Sequence, residues 1–215
     1  MQIDSLCEYA DKYNVALTDV HIQKFSLFLG CLEEWNSKMN LVGTSDRDRI
    51  ITELLLDSLI PAPFLPSAGS MVDIGSGAGF PGVIIKVLKP GISVRLIESS
   101  GKKVSFLKYV IRELQLKNVT AINKRVETIV GSLNNEEINL ITSRAMTDLH
   151  SLIKLCGSIL TPGGKLIGFL GSKWKKELEK NEKIIRESNL FIDNSLTYKL
   201  PEKSNERAVV FLKKE

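Results

Sequence analysis

Val72-Asp73-Ile74-Gly75-Ser76-Gly77-Ala78-Gly79-Phe80-Pro81-Gly82 is the stretch whose reading decides the fold. The apolar run Met71 to Ile74 has the length of a buried strand, and it ends in a turn with glycines at 75, 77, 79 and 82. Glycine lets a backbone turn sharply and approach a ligand without a Cβ in the way. Pro81 suits the first turn of a following helix. Strand, glycine turn and helix in this order open a βαβ unit. Downstream, apolar runs at Val94 to Ile97, Val119 to Ile122, Ile138 to Thr142 and Gly164 to Phe169 alternate with helical stretches at Pro81 to Lys89, Lys102 to Leu116 and Leu149 to Leu160, plus a short turn near Val126 to Val130. Such alternation predicts a parallel sheet covered on both faces, a Rossmann-like α/β fold. A last helix, Lys173 to Asn189, precedes two β-rich runs, Phe191 to Leu200 and Ala208 to Leu212, expected to pair as an antiparallel edge.

Upstream the pattern differs. From Ile3 to about Leu59 apolar residues recur at three- and four-residue steps, as in Phe25, Phe28, Leu29 and Leu32, which predicts amphipathic helices. Thr18 or Asp19 can cap a helix entering at Val20, and residues Asn40 to Arg47 are polar and turn-rich before the apolar run Ile50 to Ile60. Pro61, Pro63 and Pro66 mark a boundary. The organisation expected is a helical extension over 1–66 followed by an α/β domain over 67–215.

Glu98 closes the second strand 19 residues beyond Gly79, where a carboxylate can accept the hydroxyl hydrogens of a cofactor ribose. Gly77 to Gly82 also satisfies G-x-G-x-x-G, so a dinucleotide pyrophosphate is one candidate ligand and a purely structural turn another. Asp73 weighs against phosphate, because a carboxylate two residues before the first glycine repels an anion. S-adenosylmethionine carries a sulfonium and an ammonium and no phosphate, and it suits carboxylates at 73 and 98. The favoured reading is therefore a class I S-adenosylmethionine-dependent methyltransferase.

Composition narrows the alternatives. The 215 residues are 43% hydrophobic, enough for one substantial core, and 29 basic against 25 acidic side chains leave a charge of +4, compatible with nucleic-acid contact without requiring it. Cys7, Cys31 and Cys156 are isolated and odd in number, which favours neither a disulfide framework nor a zinc site and points to a reducing cytoplasm. His21 and His150 stand far apart with no ligand cluster, so metalloenzyme and most hydrolase mechanisms lose their groups. No run approaches the roughly 18 to 20 apolar residues of a membrane span, and Asp4 and Glu8 stand where a signal peptide would be basic.

Methyl transfer from a sulfonium is an in-line displacement, and a base is needed only where the nucleophile holds a proton. The fourth strand leads to Thr142-Ser143-Arg144-Ala145, without the Asp/Asn-Pro-Pro-aromatic sequence that receives exocyclic amines, and no cysteine ends a strand for a covalent pyrimidine adduct. An acceptor already bearing a lone pair, such as guanine N7, fits this sparse site. Arg144, at the carboxyl end of a strand, is read as a holder of the cofactor carboxylate or of an RNA phosphate, or as a surface ion pair. Val126 and Glu127 lie on the same rim. Lys173, Lys175 and Lys176 around Trp174 allow RNA tracking with base stacking, or a solvated face with Trp174 packed on the sheet. Lys102 and Asn40 carry the same double reading, RNA contact against solvated surface or turn.

Together these residues resemble the RsmG/GidB family of bacterial guanine-N7 methyltransferases of small-subunit (16S) ribosomal RNA. The resemblance runs from about Phe25 to Phe211 and rests on Glu34-Trp35-Asn36, Met39-Asn40-Leu41, Leu56-Asp57-Ser58-Leu59, the glycine-loop block, Gly101-Lys102-Lys103-Val104-Ser105-Phe106-Leu107, Arg125-Val126-Glu127 and Ser143-Arg144-Ala145. It implies a class I fold with an N-terminal helical extension, acting on the RNA alone or within the ribosomal subunit. It also implies that Gly75, Phe80, Val126, Glu127 and Arg144 contact S-adenosylmethionine, with Asp73, Gly77 and Glu98 around it. A monomer is the expected state. Two positions depart from the family pattern: Leu54 stands where a His is usual, and Leu170 precedes Gly171 where a Lys is usual. Another RNA position, a small-molecule acceptor, or a non-catalytic role in ribosome assembly remain the competing readings.

Overall fold

The structure, a computed structural model, describes residues 3–133, 136–144 and 149–215. Ala145, the end of one sequence block quoted above, lies outside the described residues. Thr18 caps the long helix α2 (Asp19–Met39), which follows the short α1 (Leu6–Asp11); the Thr18 hydroxyl accepts from His21 N–H while His21 Nδ1 accepts from Thr18 N–H. Asn40 ends α2 in the left-handed conformation, φ 48°. Asp46 then caps α3 (Arg47–Ile50) by accepting from two backbone amides. The chain continues through a π-helical stretch, Ile51–Leu56, into α4 (Asp57–Leu59). Apolar spacing predicted helix here and could not distinguish the wider turn, because a single such turn inside an apolar run is too short to change the sequence period.

Seven strands follow: β1 (Ala68–Ile74), β2 (Gly91–Glu98), β3 (Val119–Asn123), β4 (Leu140–Ser143), β5 (Lys165–Leu170), β6 (Leu190–Lys199) and β7 (Glu206–Lys214). They form one sheet in the order β3-β2-β1-β4-β5-β7-β6. The first five are parallel, and β7 lies antiparallel between β5 and β6. The antiparallel edge expected from sequence is present; β6 is shifted by one residue from its expected run, and β7 extends beyond its apolar run at both ends. Helices α5 (Gly82–Leu88), α6 (Gly101–Glu113), α7 (Val130–Leu133), α8 (Leu149–Ile159) and α9 (Trp174–Glu187) cover the sheet.

Strand alternation sorts side chains into two cores. On β7, Val209 and Phe211 join the core shared with α1, α2, α5, α6 and the 47–59 helical run, while Ala208, Val210 and Leu212 join α8 and α9 on the other face. The N-terminal helices thus share one continuous apolar core with the sheet, anchored by Phe25, Phe28 and Leu32, all fully buried. The strand order reverses at β1 between β2 and β4, which opens a crevice at the carboxyl ends of these strands, the ordinary ligand position of such sheets. Among the described residues no helix is long and apolar enough to cross a membrane.

Candidate cofactor cleft

A cleft of about 750 Å³ occupies this switch point, within the range of about 300–1,000 Å³ typical of small-molecule sites. One side is the glycine loop. Gly75 N–H and Ser76 N–H both donate to Ile97 O, at 2.9 and 3.1 Å, which holds the turn against the end of β2. Gly75 has φ +69°, with open space where a Cβ would stand; a side chain would cost strain and fill the approach to the ligand.

Asp73 stabilises this turn from beneath. Its Oδ1 accepts from the Thr142 hydroxyl at 2.6 Å and its Oδ2 from Gly82 N–H at 3.3 Å, and the residue is wholly buried. Gly82 is obligatory at this contact, since a Cβ would lie 2.5 Å from that same Oδ2. Burial pushes the Asp73 carboxyl up to about 6, against the opposing pull of Thr142, Ser76, Gly82 and Arg144. The sequence reading placed Asp73 beside the ligand; the structure places it under the loop, outside the cleft lining.

Glu98, by contrast, lines the cleft. Its Oε2 accepts from Gly77 N–H at 2.9 Å and its Oε1 from Ser100 N–H at 2.8 Å. A carboxylate has about four acceptor positions, so capacity remains for ligand hydroxyls. Val126 and Glu127, on a 3₁₀ turn just past β3, and Phe80 line the same space, so the cleft gathers seven of the eight expected cofactor residues, all but Asp73.

Arg144 also lines the cleft, and it is no surface ion pair. Its guanidinium lies 2.7 Å from Asp57 Oδ2, donates to Leu54 O at 3.1 Å and donates to Glu53 O. Asp57, 1% exposed, accepts further from the Tyr198 hydroxyl at 2.7 Å and from Arg207 at 3.2 Å. Burial pushes the Tyr198 phenol up, and Asp57 adds to that shift. One buried carboxylate therefore joins the N-terminal helical run to β6, β7 and the end of β4.

The four expected RNA-side residues do not reach the cleft. Asn40 is an exposed helix cap, and Lys102 donates from Nζ to Met39 O at 2.7 Å, tying α6 to the end of α2. Lys173 is exposed at the start of α9. Trp174 is only 8% exposed within the second core, with its indole N–H 3.5 Å from Glu206, so its surface is spent on packing instead of base stacking. The structure adds cleft residues to which sequence reasoning gave no role, Val42, Gly43, Thr44, Arg49, Glu53 and Lys124, and brings Leu41, Leu54, Lys103 and Arg125, quoted above only within the family resemblance, into the same lining. Only the polar, turn-rich composition after Asn40 hinted at the loop.

The strand order and the glycine-loop cleft together define a class I S-adenosylmethionine-dependent methyltransferase. Among solved structures of this architecture, the ribosomal protein L11 methylase of Lactobacillus delbrueckii subsp. bulgaricus matches with a TM-score of 0.60 at 16% identity, over 81% of this chain and 81% of that one. M. jannaschii TYW2 in complex with AdoMet matches with a TM-score of 0.58 at 12% identity, over 74% and 75%. These likenesses show the fold. Residues 21–206 match GidB, described as rRNA small subunit methyltransferase G, and the chain belongs to that family. A relative of that name from Staphylococcus aureus (strain JH9) is 31% identical over 217 residues, spanning 100% of this chain and 91% of its own length.

Proposed function

We propose that this protein transfers the methyl group of S-adenosylmethionine to N7 of a guanine in small-subunit ribosomal RNA, acting as a cytoplasmic monomer on the RNA or the assembling subunit. One observation carries the reading: the positive-φ glycine loop, Glu98 and the Val126–Glu127 turn line a single cleft in a chain that belongs to the family.

The residues fit the cofactor. Gly75 and Gly77 leave room for the backbone to approach it, Glu98 would offer acceptor positions to its ribose, and Val126 and Glu127, which line the same cleft, would hold its adenine. Phe80 contributes apolar surface, and Arg144 supplies a cation on the opposite side for its carboxylate. When bound, the cofactor offers a methyl group on a positively charged sulfur. A guanine N7 held in line with that methyl group would bring its own lone pair, and the cleft residues would only have to align the two. No proton leaves, so no general base is required. The protein's work is alignment and electrostatics.

The test is methylation of small ribosomal subunits lacking the modification, with labelled cofactor, followed by mapping of the label. The reading expects label at one guanine N7. Label at another atom or RNA position would keep the enzyme class and remove the specificity. No label, with salt-sensitive RNA binding that survives Gly75→Val, would point instead to an assembly factor.

A further inference from the structure

The cleft is lined in two parts: the glycine loop, Glu98, Val126 and Glu127 make up one half, and Arg144 bridges it to the next. The other half is walled by the N-terminal extension: Leu41, Val42, Thr44, Arg49, Glu53 and Leu54. We infer that this second half is the pocket for the acceptor base, and that Asn36 is the positioning residue that fixes its wall.

The wall is held in place by built contacts. The Asn36 side chain accepts from Val42 N–H at 2.9 Å through Oδ1 and donates to Thr44 O at 3.0 Å through Nδ2, so one amide clamps both ends of the lining loop. Lys102 holds the preceding Met39 carbonyl. On the other side, Arg144 engages the carbonyls of Glu53 and Leu54 in the π-helical stretch, and Ser58 donates to Leu54 O at 2.5 Å. The pocket's chemistry suits a heteroaromatic ring: aliphatic side chains at 41, 42 and 54 offer apolar contact, while Arg49 and Glu53, paired with each other at 3.2 Å, keep further N–H groups and carboxylate lone pairs at its edge. The Lys203 hydrogen bond, with help from Arg49, holds Glu53 below the usual carboxylate range, so it stays an acceptor at neutral pH. An RNA base must leave its stack to be modified, and such pockets receive the extruded ring. Leu54 makes this wall aliphatic.

This inference rests on the proposed methyltransferase activity, and the experiment separates the two. Cofactor affinity by calorimetry and methylation of subunits are measured for the parent and for Val42→Trp, Asn36→Ala and Asn36→Asp. Val42→Trp fills the pocket and is expected to leave cofactor Kd within about threefold while transfer falls by more than about 100-fold. Asn36→Ala is expected to lower kcat by about 100-fold through misplacement of the wall, and Asn36→Asp, which keeps the Val42 bond, to fall between. Thermal melting within a few degrees of the parent shows that each variant is folded; if Asn36→Ala does not fold, Val42→Trp decides. Parallel loss of cofactor affinity and transfer would assign this wall to the cofactor and overturn the inference. Unchanged transfer in both Val42→Trp and Asn36→Ala would place the acceptor elsewhere. A parent protein that binds no S-adenosylmethionine would sink the underlying activity first.

Discussion

Arg144 and Asp57 form a close ion pair, 2.7 Å between Nη2 and Oδ2, with the carboxylate 1% exposed. The pair spans 87 positions of sequence and ties the floor of the cleft to the helical extension. Tyr198 and Arg207 converge on the same carboxylate, so Asp57 joins the helical extension to three residues of the sheet region.

Removing one partner of a buried pair leaves the other charge uncompensated. Asp57→Ala is therefore expected to lower unfolding free energy by about 3 kcal/mol or more, since broken buried pairs typically cost about 3–5 kcal/mol. Urea denaturation measures this, and a change below about 1 kcal/mol would show that the network contributes little.

Asp73 makes stability depend on pH in an unusual direction. Its folded-state pKa of about 6 lies above the ordinary 3.8, so between those values the native chain binds more protons than the unfolded chain, and stability falls as pH rises. Compared with Asp73→Asn, which does not titrate, the parent should lose about 3 kcal/mol across this window, roughly two pH units at about 1.4 kcal/mol each. Unfolding curves at several pH values give the difference, and a flat or rising one would contradict the burial argument.

Two glycines in one loop should respond differently to alanine. Gly75→Ala meets open space and pays chiefly for φ +69°, a strain of about 1–2 kcal/mol, with weaker cofactor binding as the main effect. Gly82→Ala drives a methyl group to 2.5 Å from both Asp73 Oδ2 and Leu96 Cδ2, so stability should drop by about 1–3 kcal/mol and the loop should be disturbed with it. Calorimetric binding and thermal melting of both variants would separate the cases, and equal behaviour would refute the distinction.

Trp174 should act as a core residue. Its replacement by alanine is expected to cost about 3 kcal/mol of stability and to leave the salt dependence of RNA binding unchanged, because no phosphate contact is removed. A folded Trp174→Ala protein with selectively weakened RNA binding would show that the indole turns outward to the substrate.

The sequence by itself determined what depends on neighbours along the chain. Short apolar runs alternating with longer helical stretches laid out the parallel strands, the covering helices and the antiparallel edge, and the glycines at 75, 77 and 79 announced left-handed backbone that few other residues tolerate. Glu98, Val126, Glu127 and Arg144 were legible as rim residues because strand ends of such a sheet converge. Tertiary structure decided what each charge faces. Whether Asp73 meets a ligand or a buried hydroxyl from Thr142, 69 residues away, is set by strand pairing across β1 and β4. The partners of Arg144, the inward turn of Trp174 and the wall built by the 41–54 segment follow equally from how distant elements pack. Charge and hydrogen bonding act over a few ångströms of space, and spacing in sequence does not encode that proximity.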